Sequence, residues 1–204
     1  GMKVLDIGCG WGSFLRYAAE NYGIEGVGIN ISPDQAALAR QLCAGLPVDI
    51  RIQNYRDVRG IFDAIVSVGM FEHVRAENYR TYMEVVCRCL AEEGLSMLHT
   101  IGGTRDHAVT DPWLARYIFP HGMLPAGREI EEAASGLLIV GDWHVFGEES
   151  DDHRPHDYDR TLMDWYRNFF DSWDQLKENY QRKVGGRFYR MWRYYLLSCA
   201  GTFR

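Results

Sequence analysis

The feature that most constrains the fold is a short apolar run that ends in closely spaced glycines. Lys3–Ile7 (KVLDI) is followed by the turn Gly8-Cys9-Gly10-Trp11-Gly12. Beyond the glycines, apolar residues recur at helical spacing, at Phe14, Leu15, Ala18, Ala19 and Tyr22. A buried strand that turns through glycines into a helix is typical of α/β proteins, in which ligands bind at the carboxyl ends of parallel strands. We therefore expect a Rossmann-like sheet with a ligand site beside these glycines.

Further apolar runs alternate with helical patterns over the first two-thirds of the chain. A helix is predicted after Ser32, whose hydroxyl can cap it while Gln35 completes a capping box, and another over Tyr79–Leu90. The later strands of a six-stranded sheet are predicted at Glu25–Asn30, Val48–Ile52, Phe62–Val68, Leu95–Ile101 and Leu137–Phe146.

The end of the chain changes character. From Thr161 onward the pattern is helical and aromatic, with Gly185-Gly186 as the expected break between helices. We expect one domain over residues 1–204, in which residues 161–204 form a helical lid over the mouth of the sheet. The stretch RKVGGRFYRMWRYY within this tail is basic, although the chain carries a net charge of −6. It is either a solvated helix face or a patch that meets anionic lipid headgroups.

Composition limits the other classes of protein to which the chain could belong. An acidic chain is a poor candidate for general nucleic-acid binding, and no apolar run approaches the roughly 18 residues that a membrane-spanning helix needs. The five cysteines have no CxxC spacing and form no obvious disulfide framework, which favours a reducing cytoplasm. We expect no metal site.

The glycine turn points to a particular cofactor. Its spacing, Gly8-x-Gly10-x-Gly12 with Asp6 before it, differs from the GxGxxG of dinucleotide sites. It is the pattern of S-adenosylmethionine enzymes, in which this loop (Gly8, Cys9, Gly10, Trp11 and Gly12) faces the amino-acid part of the cofactor. A glycine turn that merely packs a helix on a strand is the alternative.

Two other segments are placed to contact the same cofactor. The second strand ends in Asn30 instead of an acidic residue, so we expect an amide contact to the ribose, helped by Gln35. Asn54, Tyr55 and Arg56 follow the third strand and are placed to touch the adenine. For Tyr55 a role in the core is nearly as good an interpretation.

Several phrases occur together in one order: VLDIGCGWG, FDAIVSVGMFEHV, LHTIG, DPWLARYIFPHGMLP, DWHVFG, TLMDWY and YYLLSCAGTFR. In this order they resemble the cyclopropane fatty-acyl-phospholipid synthases, a family of S-adenosylmethionine-dependent methyltransferases that includes mycolic acid cyclopropane synthases. The resemblance covers nearly the whole chain. VLDIGCGWG is shared by many methyltransferases, whereas GMFEHV, YIFPHGMLP and SCAGTFR together are specific.

The resemblance implies a reaction. A methylene unit passes from S-adenosylmethionine to a cis double bond in an unsaturated phospholipid acyl chain, through a carbocation that a bound bicarbonate deprotonates. It also implies a peripheral contact with the inner face of the cytoplasmic membrane, and a homo-oligomer is an open alternative to a monomer. Such chemistry needs a cavity with little water and aromatic walls that can stabilise positive charge.

The resemblance also carries over catalytic positions. Glu72 follows the fourth strand and His99 lies near the end of the fifth, and both are expected to hold bicarbonate, a carboxylate accepting its O–H and an imidazole donating to an oxygen. Ile101 would offer its backbone N–H, Tyr166 a phenol, and Cys199 would line the site. Taken singly, each has a structural alternative: a helix cap or surface pair for Glu72 and His99, a core aromatic for Tyr166 and a buried small side chain for Cys199.

Three departures from the family pattern qualify these expectations. The family carries a segment upstream of the first strand and a last strand beyond SCAGTFR, and this sequence shows neither. Glu148–His156 is longer than the family's loop and is expected to be a mobile surface loop. The alternatives to cyclopropane synthesis are methylation of a small amine or another lipid, and an inactive ligand-binding fragment.

Overall fold

A computed structural model of the chain describes residues 1–103, 108–109, 111–120, 122–146, 157–184 and 186–203. These residues divide into two compact units, Gly1–Val140 and Gly141–Arg204. The expectation of one domain with a helical lid stays a prediction. The predicted loop Glu148–His156 lies outside the described residues.

The first unit is built around a parallel sheet whose strands alternate with helices. Short 3₁₀ helices follow the third and fourth strands at Tyr55–Asp57, Phe71–His73 and Ala76–Asn78. The strands are β1 Lys3–Ile7, β2 Glu25–Asn30, β3 Val48–Ile52, β4 Phe62–Val68 and β5 Leu90–His99, with a two-residue pair β6 Ala108–Val109 and β7 Met123–Leu124. The helices are α1 Ser13–Tyr22, α2 Pro33–Leu42, α3 Tyr79–Cys89, α4 Pro112–Tyr117 and α5 Gly127–Ala134.

The order of the strands fixes where a site can form. The main sheet has the order β3-β2-β1-β4-β5, and every neighbouring pair is parallel. All five carboxyl ends therefore meet at one edge of the sheet. The glycine turn after β1, Asn30 at the end of β2, and Glu72 after β4 lie at this edge together with His99 at the end of β5.

The core lies on both faces of the sheet because successive strand residues point to opposite sides. Leu5 belongs to a cluster with residues of α3 and α5, whereas its neighbour Val4 belongs to a cluster with residues of α1 and α2. The first cluster includes Ile7, Ile65, Phe71, Tyr82 and Val86, and the second includes Leu15, Ala36, Ala39, Ile50 and Val66. Both faces are thus covered by helices, which gives the three layers of a doubly wound fold.

The Rossmann-like sheet is confirmed, and so are the first four predicted strands. The prediction of a sixth strand at Leu137–Phe146 was wrong, because this segment has turn and irregular conformation and Ile139 is 97% exposed. The fifth strand begins at Leu90 instead of Leu95, because Phe62 pairs with Leu90 across an irregularity in the register. Ser32 caps α2 as predicted, its hydroxyl accepting from the Gln35 N–H at 3.4 Å.

The second unit contains the predicted helical tail. Its helices are α6 Asp157–Asp171, α7 Trp173–Val184 and α8 Arg187–Thr202, so the helical pattern begins four residues before Thr161 and breaks between Val184 and Arg187 as expected. Helix α6 packs against α8, and Leu162 of α6 and Leu196 of α8 are fully buried. In the part of the chain that the structure describes, no helix combines the length and the apolar character needed to cross a membrane.

Candidate active site

The glycine turn contains three residues with left-handed backbone, at φ of +88° for Gly8, +52° for Gly10 and +79° for Gly12. A Cβ added to Gly8 would lie 2.7 Å from Met70, and one added to Gly12 would lie 3.1 Å from Ala39. Gly10 differs, because its added Cβ would have no atom within 4 Å. Two of the glycines therefore serve packing as well as the turn, whereas Gly10 faces open space where a ligand can approach the backbone.

Asn30 holds the glycine turn in place. Its amide nitrogen donates to the Gly10 carbonyl at 3.0 Å and to Gln35 Oε1 at 2.9 Å, and its Oδ1 accepts from the Ser32 N–H at 2.9 Å. Both amide donors are thus used inside the protein, and Asn30 is 7% exposed. The reciprocal half of the predicted capping box was wrong, because the Ser32 N–H goes to Asn30 and not to Gln35. The ribose contacts of Asn30 and Gln35 stay predictions.

The segment after β3 is organised by a local cap. Asn54 Oδ1 accepts from the Arg56 N–H at 3.0 Å, and the Arg56 guanidinium lies 4.7 Å from the centre of the Tyr55 ring. The Tyr55 ring packs 5.7 Å from that of Tyr82, and its hydroxyl is buried with no hydrogen-bond partner among the described residues. Burial raises the pKa of Tyr55. The core interpretation of Tyr55 thus has direct support, whereas adenine contacts of these residues stay predictions.

Glu72 is bonded to the segment that follows β5. It lies in the 3₁₀ helix after β4, and its Oε1 accepts from the backbone N–H of Ile101 at 2.8 Å. One turn earlier, the Gly69 N–H donates to the His99 carbonyl at 3.0 Å. Glu72 Oε2 is buried and has no hydrogen-bond partner in the part of the chain that the structure describes. The ends of β4 and β5 therefore bring Glu72 beside the His99–Ile101 segment, with one carboxylate oxygen open to a donor from a ligand.

Asp6 is a buried carboxylate next to the glycine turn. It is 3% exposed, and burial raises its pKa to about 7, because the charged form loses its hydration. At neutral pH this carboxyl is therefore divided between its neutral and charged forms. A positively charged ligand beside it would favour the charged form.

Ser67 lies near the carboxyl edge of the sheet, and it was not identified as a site residue from the sequence. Its hydroxyl donates to the Ile7 carbonyl at 3.1 Å and is fully buried between β4 and β1. Burial raises the pKa of Tyr82, whereas a hydrogen bond with Ser67 opposes this rise. A signal was available, because Ser67 is a neutral polar residue near the end of the buried run Phe62–Val68. It supports the junction between β1, which carries Asp6, and β4, which leads to the 3₁₀ helix with Glu72.

Four other residues predicted for the site lie in both units. Cys9 is buried in the core cluster of α1 and α2, where burial raises the pKa of its thiol to about 12, and Trp11 is 49% exposed at the turn. Tyr166 and Cys199 are half-buried in the second unit, and burial raises the pKa of the Cys199 thiol. The assignment of Cys9, Trp11, Tyr166 and Cys199 to the site stays a prediction.

Two other features of the first unit do not provide an alternative site. Within the described ranges, no group of three His, Cys, Asp or Glu side chains could hold a metal ion. A groove of about 540 Å³ lies where the strands begin, lined in part by Lys3, Glu25, Val48 and Phe62. This is the edge opposite to the glycine turn, whereas ligands of open α/β sheets bind at the carboxyl ends.

The strand order and the glycine turn after β1 define the fold of class I S-adenosylmethionine-dependent methyltransferases. The chain belongs to the mycolic acid cyclopropane synthetase family, whose sequence model matches residues 1–204. It is 48% identical over 204 residues to the cyclopropane-fatty-acyl-phospholipid synthase of Escherichia coli K12, covering all of this chain and 50% of that protein. The chain thus spans about half the length of this curated relative.

Solved structures agree with the assignment of the fold. Mycolic acid cyclopropane synthase CmaA1, complexed with SAH and CTAB, superimposes with a TM-score of 0.85 at 28% identity, covering all of this chain and 74% of that one. Coclaurine N-methyltransferase, bound to N-methylheliamine and SAH, gives a TM-score of 0.78 at 21% identity, covering 97% of this chain and 62% of that one. The second likeness concerns the fold alone.

Proposed function

We propose that this chain carries the catalytic region of a cyclopropane-fatty-acyl-phospholipid synthase. It would transfer a methylene unit from S-adenosylmethionine to the cis double bond of an unsaturated phospholipid acyl chain. The observation that carries the proposal is the carboxylate of Glu72, held at the carboxyl edge by Ile101 with its second oxygen buried and open to a donor. The identity of 48% to a curated synthase over the whole chain supports the same reaction.

The glycine turn fits S-adenosylmethionine. The open space at Gly10 lets a ligand approach the backbone, and Asn30 fixes the Gly10 carbonyl. Asp6 lies beside the turn, where its charged form would favour the cationic cofactor. When bound, the cofactor supplies an electrophilic methyl group on a sulfonium. The chain's contribution is to orient this group and to exclude water from it.

Glu72 fits a bicarbonate ion. The buried Oε2 of Glu72 is an acceptor that suits the O–H of bicarbonate. His99 is the last residue of the neighbouring strand, and its imidazole would donate to a second oxygen of the ion. When bound, bicarbonate supplies a small base for the proton of the new methyl group, so no side chain has to reach that proton. In the proposed site Tyr166 adds a phenol, and Cys199 lines the wall. The Ile101 N–H donates to Glu72 here, so its role would be to hold that carboxylate.

The reaction balances without any further reactant. An alkene carbon attacks the methyl carbon, the carbon–sulfur bond breaks, and the other alkene carbon becomes a cation. The new methyl group would then give a proton to the bound bicarbonate, and the electron pair of that C–H bond would close the ring onto the cationic carbon. Glu72 and His99 act by holding the base within reach of this proton, because a positioned base lowers the barrier to proton transfer.

The substrate would meet the protein at a bilayer. The proposal therefore includes a peripheral encounter with the inner face of the cytoplasmic membrane, since the acyl chain must leave the lipid phase to reach the site. Association of two copies of the chain stays a prediction.

Incubation with S-adenosylmethionine and vesicles of a monounsaturated phospholipid tests the proposal. The expected product is an acyl chain heavier by one CH₂, detected by mass spectrometry, with bicarbonate supplied in the buffer. Cofactor binding with normal affinity but no product would indicate the alternative of a ligand-binding fragment. S-adenosylhomocysteine release with a small amine, but not with phospholipid, would contradict the lipid assignment.

A further inference from the structure

Helix α8 has one exposed face that is basic and bordered by apolar side chains. Arg187, Arg190 and Arg193 are exposed, and so are Tyr194 and Leu197, at 53% and 36%. At about 100° per residue these five positions fall within an arc of roughly 120° on the helix surface. No Asp or Glu occurs anywhere in α8, although the whole chain carries a net charge of −6. We refer to these five residues as the arginine face.

The opposite side of α8 is fixed by packing. Tyr195, Leu196 and Ala200 are buried, and the α8 ring of Trp192 lies 6.1 Å from Phe169 of α6. Other stacked rings of this cluster belong to Trp173, Tyr180, Phe188 and Tyr189. The aromatic and basic residues that alternate in the sequence therefore separate into two faces in the structure. The aromatic cluster holds the helix, whereas the five residues of the arginine face are exposed.

The chemistry of the arginine face matches an anionic lipid surface. Three guanidinium groups can pair with phosphate oxygens, to which arginine is well suited. Tyr194 and Leu197 add an amphipathic ring and an apolar side chain on the same arc, which suit the boundary between headgroups and acyl chains. A nucleic acid would meet the same charges, but it offers no apolar layer for Leu197.

We propose that the arginine face of α8 docks the protein onto anionic phospholipid membranes. This inference rests on the proposed function in one respect, because that function requires an encounter with a bilayer. It adds the surface that makes the encounter and the headgroup charge that this surface selects. The docking step itself involves no chemical change and needs neither the cofactor nor an unsaturated acyl chain.

Sedimentation with vesicles of saturated phospholipid tests the docking surface separately from the reaction. One set of vesicles contains phosphatidylcholine alone, and the other contains about one-third phosphatidylglycerol, which supplies the negative surface potential. The unaltered chain is expected to bind the anionic vesicles more tightly, and rising ionic strength should weaken this binding because salt screens exposed charges. Equal binding to both vesicles, or binding insensitive to salt, would overturn the proposal without any variant.

Charge removal then locates the surface. Each arginine near an anionic membrane is worth about a fivefold change in partitioning, so R187Q/R190Q/R193Q should weaken binding by about 100-fold. R187K/R190K/R193K should bind within a few-fold of the unaltered chain, because it keeps the charge. A matched control removes three exposed arginines of the first unit, R16Q/R75Q/R128Q. This variant should lose far less affinity for the anionic vesicles.

The outcomes separate the two proposals. If the glutamine variant binds anionic vesicles as well as the control does, the arginine face is not the docking surface, whatever the activity shows. If the vesicle results are as expected but no cyclopropane product forms, the proposed reaction fails and the docking surface stands. Stronger binding to duplex DNA than to anionic vesicles would also overturn the inference, and circular dichroism establishes that each variant keeps its helices.

Discussion

The backbone N–H of Ile101 donates a hydrogen bond to Oε1 of Glu72 at 2.8 Å, joining two segments that are 29 residues apart in the sequence. This bond fixes one carboxylate oxygen and leaves the other, Oε2, buried without a partner among the described residues. Leaving a buried acceptor unpaired costs about 1–3 kcal/mol. A ligand that donates a hydrogen bond to Oε2 would remove this cost, which favours its binding beside Glu72.

The first prediction removes the open oxygen of Glu72. Glu72→Gln keeps one oxygen for the Ile101 N–H but replaces the second acceptor by an NH₂ donor. Loss of the held base should lower kcat by about 100-fold or more, the range typical of a removed proton-transfer partner. S-adenosylhomocysteine affinity, measured by calorimetry, should change by less than about threefold, because the proposed cofactor contacts come from other segments.

Glu77→Gln is the matched control for Glu72. Glu77 lies in the next 3₁₀ helix and forms an exposed ion pair with Arg75. An exposed pair of this kind contributes little, so activity should stay within about twofold of the unaltered chain. Equal loss of kcat in both variants would contradict the role given to Glu72.

The second prediction concerns the open space at Gly10. Gly10→Ala forces a Cβ onto a left-handed residue, which costs about 1–2 kcal/mol of folding stability, and it places that Cβ where the cofactor would approach. Gly45→Ala is the control, since Gly45 has φ of +82° and equally open surroundings in the turn after α2. Both variants should lose similar stability in urea unfolding. Only Gly10→Ala should weaken S-adenosylmethionine binding, and equal affinities would contradict the assignment.

The parts of the fold with local signals were predictable from the sequence. The strands Lys3–Ile7 and Phe62–Val68 are short apolar runs that end at glycine turns, and Ser32-Pro33 marks the beginning of α2. Glu72 and His99 could be placed at one edge because Glu72 follows one strand and His99 lies near the end of the neighbouring parallel strand. The glycine spacing is shared by many methyltransferases and could not indicate the family. The phrases GMFEHV, YIFPHGMLP and SCAGTFR together could.

The features that depend on distant partners were not predictable. Leu137–Phe146 has apolar residues suited to a strand, but a strand forms only where another strand offers hydrogen bonds, and in the described part of the chain β5 pairs only with β4. The role of Asn30 also escaped the sequence, because the Gly10 carbonyl that it binds is 20 residues away. Likewise, the separation of aromatic and basic residues in α8 follows from packing against α6.

The third prediction tests Asn30 as the support of the glycine turn. Asn30→Asp keeps the acceptor for the Ser32 N–H but loses both donors, which leaves the Gly10 carbonyl unpaired and sets a carboxylate against Gln35 Oε1. The free energy of unfolding should fall by about 1–3 kcal/mol. Gln35→Glu retains the acceptor for Asn30 and should cost less. A larger loss for Gln35→Glu than for Asn30→Asp, measured in urea, would contradict this support.

The fourth prediction follows from the buried carboxyl of Asp6, whose pKa is about 7 in the folded chain against 3.8 for an ordinary aspartate. Between these values the unfolded chain has released the proton and the folded chain still holds it, so stability falls as pH rises from about 4 to about 7, by about 1.4 kcal/mol per pH unit. Asp6→Asn lacks this titration. Its stability relative to the unaltered chain should therefore rise over the same interval, by up to about 4 kcal/mol, and level off above pH 7. Urea unfolding at a series of pH values measures this difference, and a difference that stays constant with pH would show that burial does not hold the proton on Asp6.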